Sequence, residues 1–67
     1  MLTKPKPRSK LIQLRKAKGF TQEQMAKLLN VNRATYANYE TGYRSPNLTN
    51  VIQMKKILET SDDTIFL

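Results

Sequence analysis

Residues 32–38, Asn-Arg-Ala-Thr-Tyr-Ala-Asn, gather an arginine, two asparagines and small side chains in one short stretch, and those types suggest a chemistry. That chemistry is recognition rather than reaction. An arginine can grip guanine O6 and N7 through two parallel hydrogen bonds. An asparagine can do the same with adenine, and an alanine methyl can meet the methyl of thymine. Catalysis and metal binding have poor material here. The 67 residues include no cysteine and no histidine, so thiolate metal sites, disulfides and imidazole bases are excluded. No two carboxylates or lysines cluster beside a plausible pocket. We expect no enzymatic activity, no cofactor and no metal.

Recognition needs rigid elements to carry it, and the apolar periodicity supplies them. From about Lys10, Leu11, Leu14 and Arg15 share one helical face, and the pattern stops at Lys18-Gly19, with glycine as the left-handed residue. Thr21 caps the next helix, and Gln24 three residues on completes a capping box. Met25, Ala26 and Leu29 form its inward stripe, and Asn30, which tolerates positive φ, closes it. Val31 plugs the turn, and Asn32 caps a third helix. Tyr36 and Tyr39 point inward from it, with hydroxyls expected to reach solvent or phosphate, while Arg33, Ala34, Ala37 and Asn38 face out. Two short helices joined by so tight a turn have the form of a helix-turn-helix, whose second helix lies in the DNA major groove. Thr41-Gly42 ends that helix and residues 43–46 form a loop. Asn47 caps a fourth helix to about Leu58, with Leu48, Val51, Ile52, Met54, Ile57 and Leu58 apolar; Ser61 is expected to cap a terminal turn. The fold class is therefore all-α, four to five short helices without strands.

The charge is uneven. Lys and Arg number 12 against 5 Asp and Glu, a net of +7, and all the bases lie in residues 1–58. The last nine residues hold Glu59, Asp62 and Asp63 and no base. A basic body with an acidic end suits a polyanion touching one face. Met1 to Ser9, with Lys4-Pro5-Lys6-Pro7-Arg8, reads as a flexible basic arm, and residues 10–67 as one domain. Its apolar runs are two or three residues long, far short of a membrane span, and no signal peptide is recognisable; a cytoplasmic location is expected.

The ordered set Leu11, Leu14-Arg15, Phe20-Thr21-Gln22, Ala26, Val31, Glu40-Thr41-Gly42 and Pro46 resembles the lambda-repressor-like helix-turn-helix family, the Cro and C1-type repressors of phages and mobile elements. The resemblance runs from about Lys10 to the C-terminus. It implies a lambda-repressor-like bundle and base contacts from Asn32, Arg33, Ala34 and Asn38. It also implies a phosphate contact from Gln22 at the start of helix two. Thr35, Thr41, Tyr43 and Arg44 are placed to position on phosphates. Arg15 and Glu40 fall on otherwise inward faces, which demands partners, and the family's habit is to pair them. The expected function is transcriptional regulation, as a homodimer on double-stranded DNA bearing an inverted-repeat operator. Two alternatives carry weight: a protein-interaction component of a phage switch or toxin–antitoxin pair with a regulatory protein partner, and a sequence-blind nucleic-acid coat. Binding to a palindromic fragment, or equal binding to all duplexes, separates the three.

Overall fold

A computed structural model describes residues 6–67. In chain order it contains α1 (Ser9–Ala17), α2 (Gln22–Leu28), α3 (Arg33–Thr41), α4 (Leu48–Ile57) and a closing 3-10 turn (Asp63–Phe66), with no strand among the described residues. Each boundary has a local cause. Thr21 Oγ1 accepts the Gln24 N–H at 3.1 Å while Gln24 Oε1 accepts the Thr21 N–H at 2.9 Å, so the capping box is closed in both directions. Asn32 and Asn47 cap α3 and α4 by accepting the Thr35 and Asn50 N–H groups at 2.7 and 2.8 Å. The helices stop where the chain turns left-handed: Gly19 at φ 81°, Asn30 at 57°, Gly42 at 89° and Glu59 at 54°. Only Glu59 bears a side chain poorly suited to that region.

The core is one cluster: Leu11 from α1, Met25, Ala26 and Leu29 from α2 and its end, Tyr36 and Tyr39 from α3, Met54 and Leu58 from α4 and its cap, and Ile65 from the 3-10 turn. Leu14, Phe20, Val31, Ile57 and Phe66 pack around it. Ala26 is buried where α2 and α3 meet, and its carbonyl accepts the Val31 N–H at 3.0 Å, which holds the turn against α2. A larger side chain there would force the two helices apart.

Two expectations change. Asp62, not Ser61, caps the 3-10 turn: its carboxylate accepts the Thr64 N–H at 2.9 Å and the Thr64 hydroxyl at 2.6 Å. Those two bonds hold the Asp62 carboxyl below its ordinary value of 3.8, the hydroxyl contributing most. At the acidic end, Glu59 pairs with Lys18 at 3.2 Å and Asp63 with Lys55 at 2.5 Å. The larger change is at Arg8, assigned above to the basic arm. It is buried, its N–H donates to the Glu40 carbonyl at 2.8 Å, and α1 begins directly after it. The remainder of the expected arm, residues 1–5, lies outside the described residues.

Candidate nucleic-acid interface

α3 is fixed from behind. Tyr36 and Tyr39 enter the core and meet edge to face, centroids 6.2 Å apart and planes at 76°. The Tyr39 hydroxyl accepts from Asn50 Nδ2 at 3.2 Å. The Tyr36 hydroxyl is buried beside Glu40 and Arg15, yet no group among the described residues meets it in hydrogen-bonding geometry. Burial, reinforced by the Glu40 charge, pushes its pKa far above the usual phenol range. Both hydroxyls lie in the core, where the expectation placed them at solvent or phosphate: Tyr36 is fully buried, and the Tyr39 hydroxyl is occupied by Asn50.

Glu40 is the hub of the back face. Its Oε2 accepts from Arg15 Nε at 2.5 Å, and its Oε1 accepts from Arg15 Nη2 at 3.3 Å and from Gln22 Nε2 at 3.0 Å. Arg15 Nη1 donates to the Phe20 carbonyl at 2.8 Å. The side chains of Arg15 and Glu40 are only 10% and 2% exposed, so the charges are desolvated and neutralise each other. This cluster joins α1, the start of α2 and the end of α3, and thereby sets the angle at which α3 is presented.

The opposite face is open. Asn32, Arg33 and Ala34 are exposed at the start of α3; Thr35 and Asn38 are half-buried; Thr41, Tyr43 and Arg44 are exposed at its end and in the following loop. An open depression links the start of α2, including Thr21, Gln22 and Glu23, to Arg33. Three of the candidate residues have side chains already committed within the domain. Asn32 Oδ1 is engaged by the cap, leaving its amide Nδ2 but not a bidentate grip. Gln22 Nε2 is engaged by Glu40, leaving its Oε1. Thr41 Oγ1 donates back to the Asn38 carbonyl at 3.2 Å. Among the described residues, Arg33, Ala34 and Asn38 show no such side-chain bond.

Two residues were missed in the sequence. Arg8 hides in a Pro-rich stretch and bonds mainly to backbone carbonyls far along the chain, so no local pattern announces it. Asn50 was legible: it stands four residues before Met54 and eight before Leu58, on the one face of α4 that is buried.

The architecture is shared with known proteins. Residues 11–65 match the helix-turn-helix family. The chain belongs to the Cro/C1-type helix-turn-helix family. It is 36% identical over 56 residues to the HTH-type transcriptional regulator AnsR of Bacillus subtilis (strain 168), covering 84% of this chain and 48% of AnsR. It is 35% identical over 54 residues to YonR, an SPbeta prophage-derived HTH-type transcriptional regulator of the same organism, covering 81% of this chain and 50% of YonR. The chain thus spans about half the length of these curated relatives. The restriction-modification controller protein C.AhdI of Aeromonas hydrophila has the same fold, with a TM-score of 0.75 and 30% identity over 88% of this chain and 89% of that one. Members of the Cro/C1-type family are DNA-binding transcriptional regulators and not enzymes. Among the described residues, no helix is long and apolar enough to cross a membrane.

Proposed function

We propose that this chain regulates transcription as a homodimer, each subunit laying α3 in the major groove of one half of an inverted-repeat operator. The observation that carries this reading is the two-faced character of α3. Tyr36, Tyr39 and Glu40 lock its back to the core, while Arg33 and Ala34 are left exposed at its front, with Asn38 one turn on. Arg33 takes a guanine, Asn38 an adenine and Ala34 a thymine methyl. Asn32 keeps the cap and has a single amide donor to offer. Gln22, Thr35, Thr41, Tyr43 and Arg44 contact phosphates and set the register.

Length supports two subunits. The nine residues of α3 span only about 13 Å, about the width of the major groove, so one subunit reads few base pairs. Half-sites on one face of B-DNA lie about 34–36 Å apart, close to the 37 Å long dimension of the domain. Leu48 and Ile52 stand one turn apart on α4 and are 75% and 46% exposed, an apolar strip suited to a second copy. Binding over a promoter then blocks polymerase, the mode of a Cro/C1-type repressor. Selection from a random duplex library tests the reading. Inverted repeats with centres one helical turn apart are the expected result, and their affinity should collapse when about half a turn of DNA is inserted between the halves. Failure to enrich any sequence would favour the sequence-blind coat, and enrichment of lone half-sites would remove the dimer.

A further inference from the structure

We infer that Arg8 is a positioning residue for DNA recognition: it fixes the loop bearing Tyr43 and Arg44 to the end of α3, so that phosphate contacts and base contacts keep one register. The inference rests on the interface proposed above and adds to it a residue that does not face DNA.

The geometry around Arg8 is unusual for a residue that follows a proline. Its Nη1 donates to the Tyr39 carbonyl at 2.5 Å and to the Arg44 carbonyl at 2.9 Å. Its Nη2 donates to Ser45 Oγ at 3.3 Å, and its Nε to the Phe66 carbonyl at 2.9 Å. Its own backbone N–H meets the Glu40 carbonyl. The last carbonyls of a helix lack intrahelical donors and carry the negative end of its dipole. In α3 those of Tyr39 and Glu40 are both satisfied by Arg8. The Asn38 carbonyl takes the Gly42 and Arg44 N–H groups at 3.1 and 3.2 Å. Arg44 is therefore tied to α3 twice, through its N–H to Asn38 and through its carbonyl to Arg8. The C-terminal turn joins the same knot at Phe66. A second observation shows that the approach of this segment is built in. At Gly42 a Cβ would run into the Lys6 carbonyl, so the backbone of residues 6–8 lies flush against the loop only because glycine stands there.

Arg8 is 8% exposed, so it acts on DNA through the loop and not by touching a phosphate. Its role depends on the planar fork, which delivers four bonds to three chain segments; a lysine ammonium supplies charge without that geometry. Loss of the fork frees the loop, and the Arg44 contact with phosphate is lost on average even though Arg44 is present.

The test is a double-mutant cycle on DNA binding. The probe is a duplex recovered by selection with the wild-type chain, and a scrambled duplex of equal composition is the control. Binding is measured over a range of salt, at a temperature where circular dichroism shows each variant folded. Arg44→Ala alone should weaken binding to both duplexes and lower the salt slope by about one. Arg8→Ala should reproduce that change, and Arg44→Ala added to it should change nothing further. Arg8→Lys, which keeps the stem and the charge, should behave as Arg8→Ala, whereas a direct phosphate contact would be rescued by lysine. Should Arg8→Ala fail to fold, Arg8→Lys carries the cycle, and the backbone ¹⁵N heteronuclear NOE at Tyr43 and Arg44 must fall in it. Additive losses, rescue by lysine, or a folded Arg8 variant that binds as wild type overturns the inference while leaving the interface intact. If Arg44→Ala alone is silent, the interface reading at Arg44 fails and the inference falls with it.

Discussion

Replacement of Glu40 by alanine isolates what holds α3 in place. The carboxylate receives three bonds, two from Arg15 and one from Gln22, in a side chain that is 2% exposed. Its removal strands the Arg15 guanidinium at 10% exposure, with the Phe20 carbonyl as its remaining partner. Breaking a buried pair by deleting one member costs about 3–5 kcal/mol, most of it from the uncompensated charge. A chain of 67 residues has about 3–10 kcal/mol of stability in total, at the usual value per residue. At about 4–8 °C per kcal/mol for domains of this size, Glu40→Ala should lose more than about 12 °C in Tm. Much of the protein should then be unfolded at ambient temperature, and DNA binding should fall with the folded fraction. Arg15→Met together with Glu40→Leu removes both charges and fills the space. The double variant should recover most of the loss, since apolar replacement of a buried pair is often neutral or better. Thermal melts followed by circular dichroism decide it. If Glu40→Ala melts within about 2 °C of wild type, under about 0.5 kcal/mol, the pair is no more than a surface contact and the reasoning fails.

Two further outcomes follow from local features. Glu59 sits at φ 54°, where a side chain costs about 1–2 kcal/mol. Its exposed partner Lys18 returns little, so Glu59→Gly should raise stability by about 0.5–1 kcal/mol after the extra chain entropy of glycine; a lower Tm would show the strain to be absent. Tyr36 holds its proton more tightly when folded than at the ordinary value of 10.0. Its contribution is therefore full below pH 10 and is lost as pH rises above that value. Tyr36→Phe should flatten this alkaline fall in urea-melt stability. It should cost nothing at neutral pH, because the hydroxyl it removes is buried without a partner; a loss of about 1 kcal/mol or more there would mean the hydroxyl is bonded after all.

The helices and their limits were written locally and could be read locally. Thr21 with Gln24, Asn32 and Asn47 are caps whose partners lie three residues away, and Gly19, Asn30 and Gly42 announce left-handed ends. The inward tyrosines followed from spacing, but the fate of their hydroxyls did not, because it depends on Asn50 and Glu40 across the core. Arg8 was illegible for the same reason. Its partners are carbonyls at residues 39, 44 and 66 and the Ser45 hydroxyl, and a backbone carbonyl leaves no mark in composition. The candidate interface falls between these cases. Exposure at Arg33 and Ala34 follows from helical phase and the engagement of Asn32 from its cap position, whereas the engagement of Gln22 by Glu40 emerges only from side-chain geometry.

If α3 reads sequence, Arg33→Ala should separate specific from non-specific binding. Affinities of wild-type and variant chains are compared on a selected duplex and on a scrambled one at equal salt. Arg33 projects from the first turn of α3 away from the core, so its replacement leaves the melt unchanged. The expected result is a loss of about 1–3 kcal/mol on the selected duplex and a much smaller loss on the scrambled one. Equal losses on both duplexes would make Arg33 a phosphate contact, and no loss on either would contradict the claim outright.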